Sequence, residues 1–273
     1  MDSISVENLT KKYEHFTLDK LNLKVPTGSV VGLVGANGDG KTTLIKLLLG
    51  IIKKDSGNIN IINKEDIGIV LDDAFLPELL KINDINKIMK NIYKNWDEQA
   101  FQEYLKKFNL TNNMTIKSLS KGMKKKLEIA TSLSHKPKLL ILDEPTSGLD
   151  PIVRGEVLDL FREFMENDDH SILISSHITS DLENIADYIV LINEGKIILN
   201  KSIIDITDNY GIVHCNKEMF DKLKEKAINY RKNKYDYEVL IDNKKELKNK
   251  FKDINIDKAS IDEMMYLQVR GEK

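Results

Sequence analysis

Alternating apolar positions open the chain. Residues 4–9 alternate, and residues 16–25 alternate again through Leu18, Leu21, Leu23 and Val25, which predicts an antiparallel pair at a sheet edge. Pro26-Thr27-Gly28 marks the following turn. Residues 29–34 form a run of strand type, and the apolar segment 44–49 suits a buried helix. Ser56-Gly57 marks a turn before a short strand over 58–62, and 67–71 reads as a buried strand. From 78 to about 135 the texture changes. Apolar residues recur at three- and four-residue spacing (Ile85, Ile88, Met89, Ile92, Tyr93) and strand-type runs vanish, so a helical insertion is predicted between two α/β halves. Ser120 has the character of an N-cap, with a helix behind it over 124–133. Residues 138–142 and 172–177 are strands apolar enough for burial on both faces, and 153–165 is an amphipathic helix with Pro151 suited to its N1 position.

Beyond residue 206 the elements shorten. Strand patterns over 212–215, 235–241 and 254–256 alternate with helical ones over 217–227, 244–251 and 260–269, the last opened by Ser260 with Asp262 and Glu263 in its first turn. That order predicts a small α+β appendage over 207–273, after a core unit over 1–206 whose helical insertion covers about 76–135.

Composition narrows the setting. The chain has 273 residues, 41% hydrophobic and 31% charged, as expected of a globular protein with a sizeable core. The formal net charge of −2 gives no global basic field, so nucleic acid is not an expected partner. The single cysteine, Cys215, reads as an inert, partly buried thiol and fits a reducing compartment. No secretory signal is read at the N-terminus. No apolar run approaches the roughly 18 residues that span a bilayer; Lys46 interrupts the best one. Trp96 reads as core or interface filling.

The candidate chemistry starts at Gly35-Ala36-Asn37-Gly38-Asp39-Gly40-Lys41-Thr42-Thr43, between a strand and a helix. In that context the glycines allow a tight loop whose N–H groups converge on a ligand, and the helix N-terminus adds partial positive charge. Lys41 supplies a mobile point charge for terminal phosphates, and the Thr42 hydroxyl is a hard oxygen ligand for Mg²⁺. The strand over 138–142 ends in Asp143-Glu144-Pro145, which places one carboxylate for Mg²⁺ and one to polarise water. Strand alternation predicts that Glu144 points away from Asp143. His177 ends another buried strand, at the ligand edge of such a sheet. Tyr13, in a polar link, leaves two readings open: a half-exposed turn aromatic, or a platform for a nucleobase. Lys124, Lys125 and Lys126 fall in the predicted first turn of a helix, where the dipole disfavours cations, which calls for an anionic neighbour.

Taken together, these motifs resemble the ATP-binding subunit of an ABC (ATP-binding cassette) transporter, over roughly residues 4–206. Tyr13 stands at the base-stacking position, residues 35–42 at the phosphate loop, and Leu119-Ser120-Lys121-Gly122-Met123 where the family has Leu-Ser-Gly-Gly-Gln. Residues 139–144 match the acidic strand, 147–150 the loop after it, and His177 the switch histidine. Three departures stand out: Asp39 for a small residue, Lys121 and Met123 within the signature, and Asp72 where the family has glutamine.

The resemblance implies an α/β P-loop core with an antiparallel edge sheet and a helical insertion, binding ATP and Mg²⁺ between two cassettes. Tyr13, residues 35–43 and Asp72 would contact the nucleotide in one chain, with Ser120 and Gly122 reaching it from the second. Thr42, Asp143 and Asp72 would hold Mg²⁺, Lys41 and His177 the γ-phosphate, and Glu144 would activate water. The implied partners are a second ATPase subunit, identical or not, and a separate membrane permease. The expected place is the inner face of the cell membrane, and the type is that of an exporter. Phe75-Leu76-Pro77 and the following helix are expected to line the groove for the permease. The alternative from another class is a soluble ABC-type ATPase of DNA repair, translation or cluster assembly. One cassette and no sustained heptads disfavour it.

Overall fold

The computed structural model describes residues 1–72, 76–251 and 254–272. The first half contains β1 (Asp2–Lys12), β2 (Thr17–Pro26), β3 (Val30–Val34), α1 (Lys41–Leu48), β4 (Ser56–Ile61) and β5 (Ile67–Val70), then α2 (Ile82–Ile92), α3 (Glu98–Lys107) and α4 (Lys121–Leu133). There follow β6 (Leu139–Asp143), α5 (Pro151–Phe164), β7 (Ser171–Ser175), α6 (Thr179–Ile185), β8 (Tyr188–Asn193), β9 (Lys196–Ser202) and α7 (Ile203–Asn209).

Six strands form the central sheet in the order β5-β6-β7-β3-β8-β9. The first five are parallel, and β9 returns antiparallel on β8. Period-two alternation splits each parallel strand between two cores. Val31, Leu33, Leu139, Ile141 and Leu173 join Leu44 and Ile45 of α1 on one face. Val30, Val34, Leu140, Leu142, Ile172 and Ile174 join Leu127, Ile129 and Ala130 of α4 and Val157 and Phe161 of α5 on the other. Because both faces are covered, these strands read as unbroken apolar runs.

The predicted antiparallel pair exists, with β2 as the edge strand of a second sheet. Both edges of β1 are used, in a separate sheet of order β2-β1-β4. Its inward residues Ile4, Leu21 and Leu23 share the core of α1. The turn between β8 and β9 went unread in the sequence. It is a two-residue loop, Glu194-Gly195, with φ of 47° and 75°, as a primed hairpin turn requires.

The C-terminal segment holds β10 (Gly211–Cys215), α8 (Lys217–Leu223), β11 (Asn229–Lys232), β12 (Tyr237–Ile241), α9 (Lys244–Lys250), β13 (Asp257–Lys258) and α10 (Ile261–Arg270). Its antiparallel sheet has the order β11-β12-β10-β13. The strand predicted over 254–256 is shifted to Asp257–Lys258, which pairs with Ile212 and Gly211. Ile254 and Ile256 pack into a small local core with Val213, Phe220 and Val239, so their apolarity signals burial and not a ladder. Ser260 caps α10 as expected, in a capping box with Glu263. The helix does not stay with its own sheet: Ile261, Met264 and Leu267 enter the main core, and the Ile261 N–H donates to Glu183 Oε1 of α6 at 2.8 Å.

Candidate nucleotide-binding site

Three neighbouring strands, β6, β7 and β3, deliver their C-terminal ends to one edge of the sheet. The loop after β3 is shaped by packing on one side and openness on the other. Gly35 lies against β8, where a Cβ would sit 2.4 Å from the Ile192 carbonyl oxygen. Gly38 has φ of +92°, and no atom of the described residues lies within 4 Å of where its Cβ would be, so the loop there can meet a ligand closely.

Asp39, unexpected by its size and charge, closes this loop. Its Oδ2 accepts from the Ala36 N–H at 2.6 Å and its Oδ1 from the Glu194 N–H at 3.2 Å, while its carbonyl accepts from the Gly195 N–H at 3.1 Å. The phosphate loop is thereby tied to the β8–β9 turn. Lys41 is buried, and its Nζ donates to the carbonyls of Gly35 at 2.7 Å and Ala36 at 3.2 Å. An ammonium has three donors, so one remains for an anion. Asn37 is exposed on the loop, and Thr43 lies in the first turn of α1.

The acidic edge is one hydrogen-bonded chain. Thr42 Oγ1 donates to Asp143 Oδ2 at 2.8 Å, and Ser175 Oγ donates to Asp143 Oδ1 at 2.5 Å. Asp143 is 1% exposed, and register places it opposite Ser175. Glu144 departs from strand alternation. Strand β6 ends at Asp143, and Glu144 takes φ of 52°, a left-handed conformation uncommon for a side-chain-bearing residue. Its N–H donates to the Ser175 carbonyl, and its Oε2 accepts from His177 Nδ1 at 2.6 Å and from the His177 N–H at 3.3 Å. The glutamate and the histidine therefore form a pair at the site, while Asp143 turns to Thr42 and Ser175.

Behind the pair, Asp181 of α6 accepts from Thr146 Oγ1 at 2.7 Å and from Arg154 Nε at 2.5 Å. This buried aspartate locks the loop over 144–150 to the helix after His177. Asp150 caps α5 through the N–H groups of Ile152 and Val153, with Pro151 at its start. The sequence reading passed over Ser175 and Asp181, because isolated polar residues inside apolar or helical runs carry no motif.

Other predicted residues lie elsewhere. Tyr13 is 47% exposed in the β1–β2 link, with Lys11 Nζ 5.5 Å from its ring centroid. Ser120 caps α4 by accepting from the Met123 N–H at 3.2 Å, and Gly122 is half-buried beside Leu149. Among the described residues, no hydrogen bond joins Ser120 or Gly122 to the phosphate loop. Asp72 is exposed just beyond β5. Phe75 lies outside the described residues, while Leu76 packs partly buried against the main core. Helix α4 starts at Lys121, so of Lys124, Lys125 and Lys126 only Lys124 falls in its first turn, where it meets Glu78 at 3.5 Å; Lys125, in the second turn, lies 3.3 Å from Glu128.

Cys215 is half-buried, and burial pushes its thiol up to about 11, which keeps it protonated at neutral pH. Trp96 stacks at a tilt on Phe101, and its Nε1 donates to Asn86, as a filler would.

The donor set suits Mg²⁺. Thr42 and Asp143 present hard oxygens beside the phosphate loop, and this ion is typically held by one or two carboxylates plus substrate phosphates. Among the described residues no three or more His, Cys, Asp or Glu side chains gather into a metal site, so phosphate and water oxygens would complete the shell.

A parallel sheet that runs through a glycine loop into a helix, with a threonine–aspartate contact and a glutamate–histidine pair on adjoining strand ends, defines an ATP-binding cassette of the P-loop class. Comparison with known proteins agrees. The family described as ABC transporter matches residues 18–147. The lantibiotic transport ATP-binding protein SrtF of Streptococcus pyogenes is 38% identical over 229 residues, covering 80% of this chain and 99% of that protein. The bacitracin transport ATP-binding protein BcrA of Bacillus licheniformis is 38% identical over 211 residues, 71% of this chain and 68% of that protein. A solved ATP-binding subunit of an ABC transporter superposes with a TM-score of 0.68 at 26% identity, covering 74% of this chain and 91% of that one. The chain belongs to the ABC transporter family, as an ATP-binding subunit. No helix among the described residues is long and apolar enough to cross a membrane.

Proposed function

We propose that the chain is a Mg²⁺-dependent ATPase that drives a separate membrane permease, by closing with a second cassette around ATP. The observation that carries the reading is the continuous chain Thr42–Asp143–Ser175–Glu144–His177 along the edge that adjoins the phosphate loop. Tyr13 offers a face to the adenine, and the loop N–H groups of residues 35–43 with Lys41 hold the phosphates. Bound Mg²⁺, held by Thr42 and Asp143 with Asp72 as a further ligand, would neutralise charge on the phosphate oxygens. Glu144 takes a proton from the attacking water, and His177, fixed by its Nδ1 contact, presents its other nitrogen towards the γ-phosphate. Ser120 and Gly122 of the second cassette complete the site.

Residues 1–206 form the ATPase unit in this reading, and 207–273 an accessory unit that leans on it through α10. The permease docks on the insertion, where Leu79, Ile88 and Ile92 expose apolar side chains. The names of SrtF and BcrA favour export of a peptide-like antibiotic. The working place is the cytoplasmic face of the membrane. Light scattering of the Glu144→Gln variant tests closure: Mg²⁺ and ATP should double its mass. A monomer at every nucleotide concentration, with and without a permease, would overturn the proposal.

A further inference from the structure

Lys125 has an environment that the proposed ATP chemistry leaves unexplained. Its side chain is only 4% exposed, in the second turn of α4, and an ammonium is costly to bury without compensation. Two groups compensate it. Nζ donates to the carbonyl of Leu71 at 3.0 Å, and Glu128 Oε2 lies 3.3 Å away, one turn further along α4. The two contacts differ in quality. Glu128 Oε2 is buried and accepts no hydrogen bond among the described residues, whereas the bond to Leu71 is formed. Burial holds the Glu128 carboxyl above the usual carboxylate range, with Lys125 opposing that shift and nearby Asp72 adding to it.

The position of Leu71 gives this tie its meaning. Leu71 is the residue before Asp72, at the end of β5, and α4 is the helix that Ser120 caps and that carries Gly122. A single ammonium thus joins the strand end that delivers Asp72 to its own nucleotide with the helix that delivers Ser120 and Gly122 to the opposite one. We infer that Lys125 is a positioning residue, which through the Leu71 carbonyl makes Asp72 and the signature helix move as one body. This rests on the proposed two-cassette reading, because only there do both ends meet ATP.

Removing Lys125 alone would strand the Glu128 carboxylate, so the informative variant is the double K125M/E128L, which removes both charges and keeps the volume apolar. Two measurements on the full chain decide the matter. The first is amide hydrogen exchange of residues 69–72 without nucleotide, which should speed up about tenfold in the double variant if the tie holds that strand end. The second is steady-state ATP hydrolysis with the permease present. There kcat should fall about 10- to 100-fold while KM for ATP stays within about twofold, because positioning is lost and phosphate contacts are kept. K125R, which keeps a donor for the Leu71 carbonyl, should recover most of both.

Unchanged exchange in the double variant would overturn the tie. Faster exchange with unchanged kcat would overturn its positioning role. If the parent protein hydrolysed no ATP, the proposed function would fail instead, and exchange alone would still decide whether Lys125 binds the two elements together.

Discussion

Glu144 is set in place twice, once by its backbone and once by its side chain. The left-handed φ turns it out of the strand, and the His177 contact fixes the carboxylate. Strain of this kind persists where surrounding structure over-determines it, and it concentrates at functional sites. Replacing Glu144 with glutamine keeps size and backbone but removes the base. ATP binding should survive while hydrolysis slows about 10²–10⁴-fold, measured by filter binding beside phosphate release. Lys41→Ala should instead weaken nucleotide binding itself in the same two assays. Asp39 belongs to a different category: its carboxylate holds the N–H groups of Ala36 and Glu194, and no ligand role is needed to explain it. Asp39→Ala removes two part-buried hydrogen bonds to a charged acceptor, so chemical denaturation should show a loss of about 1–2 kcal/mol. Asn at this position should recover part of it.

Whole elements respond to pH and to partners. His135, just after α4, stacks on Tyr93 with ring centroids 4.0 Å apart, and its Nε2 contacts the Ile67 carbonyl at 3.1 Å. Burial pushes its pKa below the ordinary 6.5, so the folded chain keeps the ring neutral where the unfolded chain protonates it. The stability carried by that neutral ring is complete above about pH 6.5 and is lost as pH falls below it. The drop in melting temperature from pH 7.5 to 5.5, values chosen at roughly one unit either side of that pKa, should therefore shrink in His135→Gln. On the outer side of the same insertion, Leu79 is 89% exposed. Leu79→Asp should leave melting unchanged and reduce copurification of the permease; equal recovery would place the docking surface elsewhere.

Legibility also varied by element. The phosphate loop, β6 and β7 announced themselves, because burial on both faces leaves a continuous apolar run and glycines at fixed offsets mark the turn. Ser120, Asp150 and Ser260 sit where helix starts were expected, since caps are local chemistry. Strand β13 and the separate sheet of β1, β2 and β4 were not legible in detail, because pairing partners far along the chain decide them. The pairing of Glu144 with His177 was not legible for a related reason: the strand ends at Asp143, and Glu144 then takes a left-handed φ that no local pattern announces.

At the scale of the molecule, the proposed division near residue 206 is crossed by α10. Met264 is 2% exposed and faces Val34, Ile189 and Leu191 of the central sheet. Met264→Ala should cost about 2–5 kcal/mol. The loss should also register far away. Trp96 is the only tryptophan and packs against the main core from the insertion, so its fluorescence reports that core alone. Its unfolding midpoint in urea should shift together with the far-UV circular dichroism. A Trp96 midpoint that stayed put would mean that the C-terminal segment folds and unfolds by itself.

The seating of α10 also sets a timetable. Strand β3 leaves the ribosome early, yet its neighbours β7 and β8 follow only after the whole insertion, and the helix that covers this face comes later still. At a synthesis rate of about 5–20 residues per second, the interval from β3 to α10 is on the order of 10–50 s. Until α10 emerges, Val34 and its neighbours lack part of their native cover and are open to non-native contact. The nascent chain is therefore a client for holding chaperones in proportion to how slowly it is translated. Synonymous codon changes that delay residues 203–260 should raise the aggregated fraction without altering a single atom of the finished protein.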